Sequence, residues 1–282
     1  MRVALLGATG AAGRELLPLL LARGCDVRAS VRSEAAAAGL AALGAQPVRS
    51  DIVDQESLRI LVRGCDAVLN LASAVPRPAG SWHANDLIRR RGTRALLAAC
   101  AREDVPRIVQ MSVAMLHCAD DRQPQDESSP LVGAGVLRSA LDMEREFARS
   151  GLDGRIVRGG LFYGPGTGQP GGWCEALTHP AFRIPGDGGG WLSPVHVSDF
   201  AAAMLHALEA GIPRAAWIAC DDRPLRWREL FAALAERAGR PVPPTGGAAT
   251  LASFRTSNAR LKSLGWRPRF ALLDLPCPPE GS

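Results

Sequence analysis

The chain has 282 residues, of which 47% are hydrophobic and 22% charged, and its formal net charge is +5 at pH 7. This composition predicts a folded core and excludes a membrane protein, because no apolar stretch is long enough to span a bilayer. The basic residues are spread along the chain, and the densest run, Arg89-Arg90-Arg91, lacks interleaved aromatic residues. We therefore expect no nucleic-acid binding.

Short apolar strands alternate with helical patterns in the first half of the chain. This alternation predicts an α/β fold, a Rossmann-type doubly wound parallel sheet with helices on both faces. The predicted strands are Arg2–Leu6, Asp26–Val31, Pro47–Arg49, Ala67–Leu71, Arg107–Met111 and Gly154–Arg158. The predicted helices are Ala11–Arg23, Ser33–Leu43, Gln55–Val62, Trp82–Arg102 and Gly133–Arg149.

A glycine-rich turn joins the first strand to the first helix. It reads Gly7-Ala-Thr-Gly10-Ala-Ala-Gly13. Gly7 permits the tight turn, Gly10 allows close approach of a pyrophosphate, and Gly13 lets helix and strand pack closely. The free N–H groups and the helix dipole then supply an anion site. We predict that a dinucleotide contacts this turn, including Thr9, Ala11, Ala12 and Arg14.

The composition changes after Arg158. Residues 159–190 are rich in glycine and proline, which predicts loops. Further along, the predicted elements are a helix at Val197–Glu209, a strand at Ala215–Ala219, a helix at Arg226–Ala238 and a tail helix near Ser257–Leu264. We expect residues 1–158 to form the nucleotide-binding core, and residues 159–282 to complete the sheet and cap the substrate in one compact unit.

Five further segments follow the glycine turn in a recognisable order. They are Arg49–Asp54, Val68–Ser73, Gly92–Leu97, Arg158–Gly166 and Val195–Asp199. Together with the glycine turn they resemble the GDxxD, VIHLAA, GTxxLL, RPxxVYGPG and HVxD segments of the extended short-chain dehydrogenase/reductases. That family contains nucleotide-sugar epimerases, dehydratases and related reductases, and it has NmrA-like relatives. The resemblance implies cofactor contacts at Asp51, Ile52, Leu71, Ala72, Ser73, Gly160 and Leu161.

The end of the second strand indicates which dinucleotide binds. NAD-binding proteins of this type place a carboxylate there to hold the ribose hydroxyls. Here the strand is followed by Arg32 and Ser33, with no acid nearby. An arginine at this position can pair with the 2′-phosphate of NADP. We therefore predict NADP rather than NAD; the alternative is that Arg32 is a solvated surface arginine at a helix start.

The family's catalytic residues are missing. The family uses a serine or threonine with a tyrosine and a lysine in a YxxxK pattern, whereas this chain has one tyrosine, Tyr163, and its only lysine is Lys262. Alignment with the family pattern puts Val113, Val136 and Ala140 at the serine, tyrosine and lysine positions. The resemblance thus implies a cofactor cradle without the usual proton relay. Arg89 falls where the family's long helix has an asparagine.

Other residues are candidates for the chemistry. Tyr163 lies in the segment that borders the family's substrate pocket, and Ser112 and His117 follow the strand at Arg107–Met111. Each has a structural alternative: loop packing for Tyr163, a local backbone hydrogen bond for Ser112 and an ordinary loop histidine for His117. Cys118 is next to His117. Trp173 and Trp191 either line the pocket for an aromatic substrate or pack within the cap.

Cysteine usage and the N-terminal residues bear on the compartment. Seven cysteines, odd in number and without a CxxC pair, predict reduced thiols and neither a disulfide framework nor a zinc site. Few apolar residues precede Gly7, which argues against a signal peptide. We expect a cytoplasmic protein, monomeric or homodimeric, with no bound metal and no membrane contact.

Three functions fit these observations. The leading hypothesis is an NADP(H)-dependent oxidoreductase that acts on a small organic substrate, apolar or aromatic, without a YxxxK relay. The first alternative is a non-catalytic NADP(H) sensor or regulatory protein. The second alternative is a non-redox cyclase, isomerase or lyase that reuses the scaffold. The fold alone does not separate them, because function resides in the site.

Overall fold

A parallel sheet of seven strands organises the computed structural model, which describes residues 1–75, 81–117, 123–249 and 251–274. The strand order is β11-β6-β5-β4-β1-β2-β3. Its strands are β1 (Arg2–Leu6), β2 (Asp26–Val31), β3 (Gln46–Arg49), β4 (Ala67–Asn70), β5 (Arg107–Val113), β6 (Asp153–Gly159) and β11 (Ala216–Ala219). The predicted doubly wound sheet is confirmed.

The helices lie on both faces of this sheet. They are α1 (Ala11–Ala22), α2 (Glu34–Ala42), α3 (Gln55–Val62), α4 (His83–Leu87), α5 (Thr93–Arg102), α6 (Arg138–Arg149), α7 (Gly171–Ala176), α8 (Val197–Glu209), α9 (Trp227–Arg237) and α10 (Ala259–Lys262). Helices α1 and α8 pack together on one face, and α3, α5 and α6 cover the other. The central strands are mostly apolar because both of their faces are buried, although β4 and β5 also bury Asn70, Gln110 and Ser112.

The region after Arg158 is more ordered than the glycine and proline content suggests. It contains β7 (Leu161–Tyr163), β8 (Ile184–Pro185), β9 (Trp191–Leu192), β10 (Pro194–His196), β12 (Leu225–Arg226) and β13 (Thr245–Gly247). These short strands pair as β7 with β10, β9 with β12 and β8 with β13. The prediction of loops over residues 159–190 is therefore wrong in part. Glycines allow the tight turns, and side chains such as Tyr163 and Trp173 fill a separate hydrophobic cluster.

The long helix predicted over Trp82–Arg102 is interrupted. Helix α4 ends at Leu87, a π-helical turn occupies Ile88–Gly92, and α5 begins at Thr93. A Cβ on Gly92 would lie 2.7 Å from Cγ1 of Ile52, so this turn packs closely against the loop after β3. A π turn admits an extra residue and re-aims the neighbouring side chains, which periodicity in a sequence does not reveal.

The cysteines differ from expectation at one position. Cys174 is disulfide-bonded, so the prediction of reduced thiols throughout is wrong there. The spacing of the cysteines does not predict this disulfide, because the fold rather than a CxxC pattern determines which thiols lie close together. The free and buried cysteines are Cys25, Cys65, Cys100 and Cys220. Cys118 and Cys277 lie outside the described residues.

Candidate functional site

The glycine turn has the close packing predicted for it. Gly7 has a φ of 81°, and a Cβ there would lie 2.7 Å from the carbonyl carbon of Leu71. A Cβ on Gly13 would lie 2.1 Å from the carbonyl oxygen of Gly7, so only glycine fits. A Cβ on Gly10 would meet only the Gly7 oxygen, at 3.3 Å. Gly7 and Gly13 therefore serve the fold, and Gly10 leaves space beside the helix.

The start of α1 is open to an anion. Gly10 is its N-cap residue and offers no side-chain hydrogen bond, and the first turn has no acidic residue. By contrast, Ser33, Asp54 and His196 each cap a helix with a side-chain acceptor. The first N–H groups of α1 are thus left for an external partner, as the pyrophosphate of a dinucleotide requires. The Arg14 side chain turns back, with Nε donating to the Thr9 carbonyl at 3.0 Å.

The carboxyl ends of β2 and β3 carry positive charge. Arg32 directly follows Val31, and Val31 pairs with Arg49 across the two strands. Both arginines are exposed, and no described carboxylate lies within ion-pairing distance of Arg32. Beneath them Ser50 Oγ donates to Ser30 Oγ at 2.7 Å, while Ser33 caps α2. Arg49 was not singled out from the sequence, since only strand register places it beside Arg32.

The predicted adenine and nicotinamide edges lie along neighbouring strand ends. Asp51 is exposed, and its Oδ1 accepts from the Val53 backbone N at 3.0 Å. Ala72 N donates to Asn70 Oδ1 at 3.1 Å, which fixes the path of the chain leaving β4. Leu71, which follows β4, lies against the glycine turn, because a Cβ on Gly7 would be 2.7 Å from its carbonyl carbon. Ile52 lies in the loop after β3, Gly160 lies between β6 and β7, and Leu161 begins β7. The cofactor contacts predicted for these residues and for Ala72 and Ser73 stay predictions.

Gly160 has a packing requirement of its own. A Cβ there would lie 2.1 Å from the Ser193 carbonyl oxygen, and Leu161 N donates to the same oxygen at 2.8 Å. The glycine thus lets the strand that follows β6 pack against the segment that leads into β10. Its predicted cofactor contact stays a prediction.

The positions aligned with the family's catalytic residues are apolar and lie around an arginine. Val113 ends β5, Val136 lies before α6 with 41% of its surface exposed, and Ala140 is fully buried. Nη1 of Arg89, in the π turn, lies 3.5 Å from both the Val136 carbonyl oxygen and Ser139 Oγ. Burial lowers the pKa of the Arg89 guanidinium. The tyrosine and lysine positions thus carry no acid or base of their own, and a cation reaches them from the neighbouring helix.

Ser112 and His117 belong to a buried polar network. Ser112 Oγ donates to Glu144 Oε1 at 2.5 Å, and Arg158 pairs with Glu144 at 2.7 Å. Arg158 Nη1 lies 3.2 Å from His117 Nε2, so that nitrogen is an acceptor and His117 is neutral. All four side chains are buried. The sequence did not indicate this network, because Glu144 and Arg158 come from a helix and a strand 14 residues apart.

The pKa of His117 lies below the usual histidine range. Burial, and then the Arg158 charge, lower the pKa of His117 to about 4. The Ser112 hydroxyl donates its hydrogen bond to Glu144 inside the protein and does not face solvent. The network therefore holds the end of β5 against α6 and β6, and this geometry does not support direct contact of Ser112 or His117 with a substrate. Cys118 lies outside the described residues.

Tyr163 is also withdrawn from solvent. Its side chain is fully buried, and the phenol donates to Asp221 Oδ2 at 2.7 Å. Burial and the Asp221 charge raise the pKa of Tyr163, and burial raises the pKa of Asp221 to about 7. The geometry does not support the predicted role of Tyr163 as a proton donor to substrate, because its hydroxyl points into the protein.

The two tryptophans pack within the late region. Trp173 is nearly buried against Trp227, with ring centroids 6.4 Å apart. Trp191 lies between two guanidinium groups, those of Arg226 and Arg255, at 4.2 and 4.4 Å. These contacts favour the structural alternative for both residues.

The fold and the glycine cradle define a Rossmann-type dinucleotide-binding protein. Residues 7–207 match the NAD(P)H-binding family, and the chain belongs to this family. A 3-diazoavenalumate denitrifying reductase from Streptomyces sp is 28% identical, over 95% of this chain and 96% of that protein. A 4-hydroxy-2-methyl-3-oxo-4-farnesyl-3,4-dihydroquinoline-1-oxide ketoreductase from Stigmatella aurantiaca is 32% identical, over 85% of this chain and 74% of that protein.

Solved structures of similar fold come from the extended short-chain dehydrogenase/reductases. A dTDP-glucose 4,6-dehydratase from Streptomyces venezuelae with bound NAD has a TM-score of 0.82 at 22% identity, covering 97% of this chain and 94% of that chain. A Thermus thermophilus UDP-glucose 4-epimerase with NAD has a TM-score of 0.77 at 23% identity, covering 97% and 96%. The family resemblance is confirmed, as is the leaning toward an oxidoreductase-type enzyme at the level of class.

Within the described ranges no helix is long and apolar enough to cross a membrane. No group of three or more histidine, cysteine, aspartate or glutamate side chains is arranged to hold a metal ion in the same ranges.

Proposed function

We propose that this protein is an NADPH-dependent reductase of a small organic molecule, and that it transfers hydride without a tyrosine–lysine proton relay. One observation carries the proposal. The start of α1 at Gly10 leaves room for a dinucleotide, while Val136 and Ala140, which the sequence alignment assigns to the relay positions, lie just before and on α6 and carry no acid or base. Two relatives whose names end in reductase support the redox class over the non-redox alternative.

The charge at the end of β2 supports NADPH as the cofactor. Arg32 is exposed and unpaired among the described residues, Arg49 is beside it in register, and no carboxylate follows the strand to hold a free ribose diol. A guanidinium offers a planar fork of donors that suits a phosphate. Gly10 and the first turn of α1 would hold the pyrophosphate, with Leu71 to Ser73 alongside.

The site chemistry limits the substrate. Bound NADPH supplies hydride, and that step does not require a tyrosine. Val113 and Val136 offer no proton, and Ser112, His117 and Tyr163 are held in buried contacts. A substrate that needs protonation of a plain carbonyl is therefore disfavoured. We propose an electrophile polarised enough to accept hydride first and take its proton from solvent. Residues 159–282 would cap it.

Deuterium transfer tests this proposal. The purified protein is incubated with NADPH deuterated at the nicotinamide C4, using a quinone, an activated enone, an aryl diazonium salt and an unactivated ketone in separate reactions. Mass spectrometry of the products should find deuterium on carbon in at least one activated electrophile and none in the ketone. Binding of NADPH without any deuterium transfer would favour the non-catalytic sensor. If neither NADPH nor NADH binds, both the reductase and the sensor hypotheses are rejected.

A further inference from the structure

Arg89 is an unusual cation in this site. It lies within the π-helical turn Ile88–Gly92, where the altered helical geometry directs its side chain toward the start of α6. There Nη1 meets the Val136 carbonyl oxygen and Ser139 Oγ, both at 3.5 Å, which is at the long limit of a hydrogen bond. Within the described ranges no other guanidinium nitrogen of Arg89 has a protein acceptor, so the group retains capacity for a ligand.

The neighbouring arginines on the same helix show what Arg89 lacks. Nε of Arg90 lies 3.2 Å from Oδ2 of Asp142, and Nε of Arg94 lies 3.2 Å from Oε1 of Glu146. Helix α6 thus supplies a carboxylate to each of these two arginines. Opposite Arg89, α6 supplies the Ser139 hydroxyl, and the Val136 carbonyl oxygen comes from the 3₁₀ turn just before α6. No carboxylate of the described ranges lies within 4 Å of the Arg89 guanidinium, although burial disfavours its charge.

One exposed valine adjoins the Arg89 guanidinium, and a second lies on the segment held to the same helix. Val136 is 41% exposed and Val75 is 64% exposed. Val75 follows Ala74, whose N–H donates to Asn85 Oδ1 at 3.0 Å, and Asn85 is one helical turn before Arg89. The segment that leaves β4 is thereby held close to the helix that carries Arg89. An apolar rim beside a desolvated cation suits a ligand with an apolar body and an anionic end.

We infer that Arg89 binds a carboxylate group of the substrate and thereby orients its apolar body over the strand ends. This inference rests on the proposed function and names a substrate class within it. A guanidinium binds carboxylate through two parallel hydrogen bonds, which fixes orientation as well as affinity. Asp86, three residues earlier, acts electrostatically on Arg89 but forms no ion pair with it, so among the described residues the guanidinium keeps donors for a substrate carboxylate.

Paired ligands that differ in charge test the inference. Acetate, benzoate and cinnamate and their neutral amides are titrated into the NADP⁺-saturated protein by calorimetry. The wild type should bind benzoate or cinnamate more tightly than the matching amide. Arg89→Gln should weaken the affinity for the carboxylate by about tenfold or more and leave the affinity for the amide within about twofold of wild type, because only the charged pair is lost. The carboxylate affinity of Arg89→Lys should lie between those of wild type and Arg89→Gln.

Arg91→Gln is the matched control, since Arg91 is exposed two residues further along the same turn and should not alter either ligand. NADP⁺ affinity and thermal unfolding are measured for every variant. Equal loss of carboxylate and amide, loss of NADP⁺ affinity in Arg89→Gln, or no preference for carboxylates in the wild type would each overturn the inference. Deuterium transfer from NADPH to a neutral electrophile would survive such a result, so the proposed function is judged separately.

Discussion

The phenol of Tyr163 donates a 2.7 Å hydrogen bond to Oδ2 of Asp221, and the two residues lie 58 positions apart. The same oxygen accepts from the Leu272 backbone N at 3.2 Å. Tyr163 is on β7 and Asp221 follows β11, so this pair ties the edge of the main sheet to the late region and to the tail. The chain's one tyrosine thus has a structural partner.

Replacing Tyr163 with phenylalanine should therefore affect stability rather than chemistry. The change leaves a buried Asp221 with one donor fewer, which should cost about 1–3 kcal/mol of unfolding free energy in urea denaturation. Deuterium transfer should stay within about twofold of wild type, because the hydroxyl has no exposed surface. Asp221→Asn should reduce the free energy of unfolding by less in the Tyr163→Phe background than in wild type. A normally stable Tyr163→Phe variant with abolished transfer would restore the catalytic role.

Asp221 and His117 should make stability depend on pH in opposite directions. The pKa of Asp221 is raised to about 7, so between pH 4 and 7 the folded state holds a proton that the unfolded state releases, and stability falls as pH rises. The pKa of His117 is lowered to about 4, so between pH 4 and 6.5 the unfolded state holds the extra proton, and stability rises with pH. In wild type the two slopes oppose each other.

Single variants should separate these slopes. Between about pH 4.5 and 6, the free energy of unfolding of Asp221→Asn, measured in urea, should rise with pH more steeply than that of wild type. The difference in slope should be about 1.4 kcal/mol per pH unit. For His117→Gln, the slope of the free energy of unfolding with pH should be lower than that of wild type by a similar amount. Parallel profiles for wild type and either variant would show that the group titrates normally in the folded protein.

Two glycines of the cradle should respond differently to alanine. At Gly13 a Cβ would lie 2.1 Å from the Gly7 carbonyl oxygen, so Gly13→Ala should destabilise the fold by about 2 kcal/mol or more. At Gly10 the nearest atom is 3.3 Å away and φ is −74°, so Gly10→Ala should fold nearly normally. Its Cβ would enter the pyrophosphate space, and NADPH affinity measured by calorimetry should fall about tenfold or more. Unchanged NADPH affinity in Gly10→Ala would contradict this location for the pyrophosphate.

Arg32 should select between the two dinucleotides. Arg32→Ala should weaken the affinity for NADPH by about tenfold or more and the affinity for NADH by less than about twofold, since only NADPH carries the 2′-phosphate. Arg102→Ala is the control, because Arg102 is exposed at the end of α5, away from the carboxyl ends of the strands. Equal losses for both dinucleotides would argue against a 2′-phosphate contact.

Much of the regular structure was predictable from local sequence. Helices Gln55–Val62 and Val197–Glu209 have the bounds expected from their apolar periodicity, and Gly7 and Gly13 have the close packing expected of them. Such features depend on neighbours in the chain. The π turn, the Cys174 disulfide and the order of residues 159–190 were missed, because each depends on packing between distant segments.

The sequence by itself determined the parallel sheet, the glycine turn and the absence of a YxxxK motif, since strand periodicity, glycine spacing and residue order are properties of the chain alone. Tertiary structure decided which polar side chains are buried and paired. It buried Tyr163, Ser112 and His117 against partners on other elements, and left Arg89 without an ion pair among the described residues. Burial and pairing arise only when separate elements pack, so the site was decided by the fold.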